Sequence, residues 1–308
     1  MGALSTARVL LVALAVIVLA SFLPLWVSGY ILGLLTLAYY FGVFSMAWDL
    51  LFGFAGEVNF GPTFLIGTGA YTAGILDNLY RPPIWVCLAA GALAAVIGGV
   101  VLALPALRVR GPYFGLTTLV AVLILQNFIV VAAGLTGGEI GLTVPDVISI
   151  SDTTNYEIAL WFMAASGAIL FALSRSPVGL ILQASGQDAV QAGALGFNVT
   201  KHKLAAFIIS AFFSGLAGAL LVFYMGTASV GTLVDITVGV QIIIAVVLGG
   251  RRTILGGVLG SVFLIAMSEA LRPLGDLSSF VVSAMALVVV LAFPSGLLGL
   301  LTRTKETA

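Results

Sequence analysis

Three carboxylates, Asp49, Glu57 and Glu269, stand inside or beside long apolar runs. An ionised side chain there is expensive unless it lines a wet pathway or meets a partner, so each is a candidate transport group or titrating group for ion coupling. Glu57 lies within GFAGEVNFGP, residues 53–62, where Gly53, Gly56, Gly61 and Pro62 interrupt the apolar sequence around them. Non-helical backbone at membrane depth is tolerated only where protein or a water-filled cavity satisfies it. The break also carries Asn59, while Pro62, lacking an amide hydrogen, suits the first turn of a following helix. Two readings stand: a polar break lining a pathway, or a turn between two spans with Glu57 in water. Enzyme chemistry has less support. The one histidine, His202, sits between Lys201 and Lys203, and the one cysteine, Cys87, lies in an apolar run. No nucleophile–base pair or metal-ligand spacing follows from them, so no catalytic and no metal-binding residue is expected.

A second interruption, LGGRRTILGG at 248–257, contributes Gly249, Gly250, Gly256 and Gly257. Both breaks end in a small pair that opens an apolar, glycine-containing helix, a likeness expected of an internal duplication. Discontinuous helices in both halves of a chain point to a translocation pathway.

The elements that carry these breaks must be membrane helices. Of 308 residues, 61% are apolar and 8% are charged, against roughly 45–50% and about 25% in soluble domains. The net charge is zero, which leaves no basic field for nucleic acid. Apolar runs near the 20 or so residues a spanning helix needs fall at about 8–27, 30–52, 61–79, 84–104, 113–133, 157–173, 204–226, 236–249, 254–271 and 280–300. The expected fold is therefore all-α, a single transmembrane domain over residues 1–308 with about ten spans, some broken. The third and eighth spans are the least regular. The first run is read as a retained span rather than a cleaved signal.

Basic residues accumulate in cytoplasmic loops. With a cytoplasmic amino terminus, ten crossings put Arg8, Arg108, Arg110, Arg175, Lys201, Lys203, Arg251, Arg252, Arg303 and Lys305 inside, and only Arg81 and Arg272 outside. Asp77, Glu139, Asp146, Asp152, Glu157, Asp235 and Asp276 fall outside. Both termini are then cytoplasmic. The largest cytoplasmic loop spans about 174–203, and within it Asp188 to Gly196 reads as a short amphipathic helix with Gly196 as its stop. Such a helix either docks a partner in a groove or lies on the surface without one. The largest exterior loop, about 134–156, has glycines and Pro145 that argue for a structured turn, capping the exterior mouth or meeting an exterior partner.

Five segments in order carry a resemblance. GFAGEVNFGPTFLIGTGAYTAG, LRVRGPYFGLTTL (107–119), TGGEIGLTVP (136–145), ALGFNVTKHKLAAFIISAFFSGLAGAL (194–220) and VLGGRRTILGGVLG (247–260) resemble permeases of the branched-chain amino acid type, within the ATP-binding-cassette importers. The likeness runs from about Ala47 to Gly299, and RGPYF favours the LivM-type of the two paired permeases. It implies a second, LivH-like permease, two cytoplasmic ATPases that bind ATP and Mg, an extracytoplasmic solute-binding protein, and a prokaryotic plasma membrane. This chain is then not an enzyme and holds no cofactor of its own, in keeping with its lack of a phosphate-binding GxxxxGK[ST] loop.

The resemblance implies alternating access, coupled to the ATPases through Asp188, Ala192, Ala194, Leu195 and Gly196. The pathway is expected at Asp49, Gly53, Gly56, Glu57, Asn59, Gly61, Pro62, Gly249, Gly250, Gly256 and Gly257, with Glu57 and Asn59 facing it and Asp49 supporting the broken backbone. This chain has Asp49, Glu57 and Asn59 where the family commonly has Asn, Gln and Ser. Relatives with an acid at the first position include permeases resembling urea or short-amide importers, which stands as the alternative substrate class. The alternative mechanism is a stand-alone transporter coupled to protons or sodium through Asp49, Glu57 or Glu269. Arginines usual before the coupling segment and glutamates usual within it are replaced here by Gln183, Gly186, Gln187, Ala189 and Gly193.

Overall fold

The computed structural model describes residues 3–107 and 112–275 and the isolated positions 277, 281, 284 and 296. The tenth apolar run, apart from three positions, and Arg108, Arg110, Asp276, Arg303 and Lys305 lie outside the described residues.

In chain order the elements are α1 (Ala3–Ser21), α2 (Gly29–Asp49), α3 (Pro62–Tyr80), α4 (Ile84–Ala106), α5 (Pro112–Val131), α6 (Ala133–Thr136), β1 (Leu142–Thr143), α7 (Asp152–Arg175), α8 (Pro177–Gln187), α9 (Ala189–Ala194), α10 (Val199–Met225), β2 (Thr227–Ala228), α11 (Val230–Leu233), α12 (Ile236–Gly249) and α13 (Gly256–Ala270). Each of the first nine apolar runs lies on a helix. Among the described residues, six stretches can cross a bilayer by length and composition: Gly29–Phe54, Ile84–Ala106, Tyr113–Val131, Asp152–Arg175, Val199–Met225 and Val230–Gly249. The count of about ten is thus not reached by that criterion. Leu11–Leu25 and Gly256–Ala270 are shorter apolar stretches, and α3 carries Thr63, Thr68, Thr72, Asp77 and Asn78 among its apolar residues. The eighth run gains length because the single turn α11 precedes α12 and is continuous with its span. Among the described residues the all-α expectation is departed from at one place, the antiparallel pair β1–β2, with Leu142 opposite Ala228 and Thr143 opposite Thr227.

Two helices organise the bundle. α10 packs on α2, α3 and α4, and α2 packs on α7, α12 and α13. Small residues make these approaches possible, since lipid gives no hydrophobic drive between helices and close backbone contact must supply the attraction. A Cβ on Gly69 of α3 would lie 2.5 Å from Gly215 Cα of α10, and one on Gly218 the same distance from the Ile66 carbonyl. α2 buries Tyr40, Phe44, Met46 and Trp48 almost completely. Tyr39 and Tyr156 share a buried hydroxyl contact of 3.0 Å, and Tyr156 donates to the Ala20 carbonyl at 2.8 Å, tying α1, α2 and α7.

One end of the bundle is closed by the loop at 134–156, which is the structured turn its glycines suggest: Gly137, Gly138 and Gly141 all have positive φ. It is fastened to its neighbours by polar bonds. The Val144 amide donates to the Gly226 carbonyl at 2.9 Å, Asn78 Nδ2 to the Thr143 carbonyl at 2.9 Å, and the Asp146 amide to the buried Asp77 carboxylate at 3.2 Å. α7 begins at Asp152, several residues earlier than the apolar run suggests, because Asp152 suits the positive end of the helix. The opposite end of the bundle holds both breaks and the segment carrying α8 and α9.

Candidate functional site

After Asp49, α2 widens into a π-helical turn over Leu50–Phe54, closed by the Ala55 amide on the Leu50 carbonyl at 3.2 Å. Such bulges leave backbone groups outside the regular ladder and recur at functional sites. The chain then runs non-helically to Gly61. Asn59 is 1% exposed and acts as a staple: its Oδ1 accepts the Gly61 amide at 2.8 Å, and its carbonyl accepts the Trp48 indole at 2.6 Å. The Phe60 amide donates to Thr118 Oγ1 of α5 at 3.0 Å, and a Cβ on Gly61 would overlap the Thr118 carbonyl. Pro62 then opens α3. The break is therefore ordered, with its buried polar groups largely satisfied and Val58 and Phe60 exposed.

The second break is docked on the first. Asp49, with no exposed surface, accepts three backbone amides through its carboxylate: Arg252 at 3.0 Å, Thr253 at 3.2 Å and Ile254 at 3.0 Å. A run of donors converging on one buried carboxylate is the charge-assisted arrangement that offsets its burial. Arg252 Nε also donates to the Gly53 carbonyl at 2.7 Å. Gly53 has no room for a side chain, since a Cβ would overlap the Asp49 carboxylate and lie 2.9 Å from the Arg252 nitrogen.

The docked turn is strained. Arg252 and Ile254 have φ of +63° and +56° without being glycine, and Ile254 is buried and β-branched. Each such residue costs about 1–3 kcal/mol and persists only where its surroundings over-determine it. The three bonds to Asp49 and the burial of Ile254 supply that constraint. Thr253 closes the turn internally, donating to the Gly250 carbonyl at 2.6 Å and accepting the Gly256 amide at 3.1 Å. Gly249 and Gly256 touch backbone to backbone, Gly257 rests on Ser45 and Met46 of α2, and Gly250 meets Gly296. Ser45 and Ser261 share a buried hydroxyl contact of 2.9 Å between α2 and α13.

The segment after α7 reaches the same place. α8 is an element the sequence reading did not include, although Ser176 followed by Pro177 is a helix-start signal: the Ser176 side chain accepts the Gly179 amide and Pro177 takes the first position. Its last turn lies on the first break. A Cβ on Gly186 would be 2.6 Å from the Phe54 carbonyl, and one on Gly56, whose φ is +74°, would be 2.8 Å from Gly186 Cα. Asp188 Oδ1 then caps α9, accepting the Val190 and Gln191 amides at 2.9 Å each. α9 ends at Ala194, followed by Leu195 and Gly196, whose φ of +90° makes it the stop its position suggests. Ala192 is buried, while Val190 and Leu195 are 77% and 75% exposed. From the first turn of α10, Lys203 returns to pair with Glu57, Nζ to Oε1 at 2.5 Å, with both side chains mostly covered.

The structure thus gathers Asp49, Gly53, Gly56, Glu57, Gly249, Gly250 and Gly256 at one clasp, with Asn59 bound to Trp48 of α2, Gly61 against Thr118 of α5, Pro62 beside Gly239 of α12 and Gly257 on the α2 side. Sequence reading passed over Lys203, Gly186, Thr118, Trp48 and the 252–254 amides, whose parts depend on contacts far away in the chain. Glu269 is elsewhere: it joins Tyr30 and Arg272, whose guanidinium donates to the Tyr30 hydroxyl at 2.8 Å. Among the described residues, no group of His, Cys, Asp and Glu that could hold a metal ion comes together.

The sequence that forms this bundle is similar to known proteins. Residues 30–291 match the family described as the permease component of the branched-chain amino acid transport system. The chain belongs to that family. As a member it is a multi-pass membrane permease. It is 26% identical to the high-affinity branched-chain amino acid transport system permease LivM of Salmonella typhimurium and to that of Escherichia coli, each over 96% of this chain and 76% of the relative. Over a shorter stretch it is 32% identical to the BraD permease of the corresponding system in Pseudomonas aeruginosa, covering 45% of each chain. It is also 27% identical to the ribose import permease RbsC of Haemophilus influenzae, over 44% of this chain and 43% of that one. No solved structure matches the permease.

Proposed function

We propose that this permease is one half of the membrane pore of an ATP-driven importer of branched-chain or other small amino acids. It works beside a second permease, two cytoplasmic ATPases that bind ATP and Mg, and an extracytoplasmic solute-binding protein. The observation that carries the reading is likeness to LivM permeases over 96% of the chain, together with a clasp that joins two helix breaks. Ten crossings of a prokaryotic plasma membrane, with both termini cytoplasmic, put the clasp and α9 on the cytoplasmic side and the 134–156 turn outside. That agrees with the excess of Lys and Arg in the loops so assigned.

In this mechanism the breaks at 53–62 and 249–257 shape the cytoplasmic part of the pathway. Glu57, Val58 and Phe60 line its edge, and the glycines, Asn59, Pro62 and Asp49 form the backbone behind it. α9 offers Val190 and Leu195 to an ATPase groove as an amphipathic helix does. Closure of the ATPases displaces α9, and alternating access follows as the two breaks re-pack against each other.

The ion-coupled alternative has less to work with. Asp49 is engaged by three amides, Glu57 by Lys203, and Glu269 by Tyr30 and Arg272, so each carboxylate already has the partners a carrier would exchange for an ion. The test is reconstitution of the permease with its neighbouring permease, ATPases and binding protein in liposomes. Uptake of labelled leucine that requires internal ATP is expected. Uptake by this chain alone, driven by a proton or sodium gradient, would replace the reading with the ion-coupled one.

A further inference from the structure

The segment bearing α9 is attached to the first break at two adjacent residues. Gly186, two positions before the Asp188 cap of α9, lies backbone to backbone against Gly56. Lys203, in the first turns of α10 beyond the other end of α9, holds the Glu57 carboxylate. α9 is therefore a handle whose two stems converge on Gly56 and Glu57. From those residues the chain leads back to Gly53, whose carbonyl holds Arg252, and to Asp49, whose carboxylate holds the 252–254 amides.

We propose that the first break is a relay: displacement of α9 enters at the Gly56–Gly186 contact and the Glu57–Lys203 ion pair, and leaves through Asp49 to the strained 252–254 turn. The inference rests on the ATP-driven reading and adds the route by which that drive reaches the second break. A relay needs an element with two discrete arrangements, and the left-handed turn at Arg252 and Ile254 provides one, because loosening its bonds to Asp49 lets both residues return to ordinary backbone angles. Glu57 and Lys203 are positioning residues in this scheme. Gln at position 57 keeps an oxygen for Lys203 to reach, whereas an acid at position 203 repels Glu57.

The test uses the complete reconstituted transporter and reads labelled-leucine uptake and ATP hydrolysis together. Lys203→Glu is expected to leave basal hydrolysis within about twofold of the parent and to lower uptake per ATP at least tenfold. The exchange Glu57→Lys with Lys203→Glu is expected to restore uptake to within about threefold. Gly186→Ala, which forces the last turn of α8 off the break without altering charge, is expected to uncouple in the same way. Full uptake per ATP in Lys203→Glu, or an exchange that restores nothing, overturns the relay. A parent complex that takes up leucine without ATP instead overturns the importer reading, so the two failures are distinct.

Discussion

The two helix breaks differ in where their order comes from. The first is held from several sides: its π turn closes on itself, Asn59 and Trp48 pin its backbone, Thr118 receives it from α5, and Gly186 and Lys203 fasten it to the segment around α9. The second contains two left-handed residues that are not glycine, and it draws its hold on the first break from the Asp49 carboxylate, the Arg252 guanidinium and the Arg251 guanidinium, which lies 5.5 Å from the centre of the Phe52 ring. One break is a frame and the other a loaded turn clipped to it. A frame transmits motion without changing shape, while a turn held away from its preferred angles by a few hydrogen bonds has a second conformation within reach.

The largest effect should come from removing the clip. Asp49→Ala leaves three amides without their acceptor, the Ile254 amide buried and the other two part-buried, at about 1–3 kcal/mol for a buried orphaned group and less for the others, so a marked fall in the thermal unfolding midpoint in detergent is expected. Asp49→Asn keeps one carbonyl oxygen and should lose less than half as much. Next come the close approaches: Gly56→Ala adds a Cβ at positive φ against Gly186, with an expected cost of about 1–3 kcal/mol in the same assay. The strain itself is measured by a pair at Arg252. Both Arg252→Ala and Arg252→Gly lose the bond to the Gly53 carbonyl, but glycine accepts φ of +63° and alanine does not, so the glycine variant should be the more stable by about 1 kcal/mol. Equal stabilities would mean that the turn is relaxed and the contrast between the breaks is lost. The smallest effect is expected for Glu57→Gln, with stability within about 0.5 kcal/mol and leucine uptake little changed. Abolished uptake there would give the acid a direct role on the solute.

Much of this arrangement was legible in residue order. The helices follow apolar runs, the breaks follow Gly53 to Pro62 and Leu248 to Gly257, and α9 is capped by Asp188 and stops before Gly196 because capping and left-handed glycine are local effects. What escaped is non-local. Nothing near Asp49 in the sequence shows that its acceptors serve amides some two hundred positions later, nor does Lys203 announce Glu57. α7 and α10 extend several residues beyond their apolar cores because Asp152 and Asn198 begin them as polar first-turn and cap residues, which hydropathy does not register. α8 was signalled by Ser176 and Pro177, but its contact with Gly56 depends on the fold.

Leucine uptake by the reconstituted transporter carrying Asp49→Ala, compared with Asp49→Asn and the parent, tests the clasp most directly. The account predicts that Asp49→Asn retains uptake, while Asp49→Ala loses it yet still inserts and co-purifies with its ATPases. Parent-level uptake by an Asp49→Ala transporter would contradict it, because the two breaks would then work without the carboxylate that joins them.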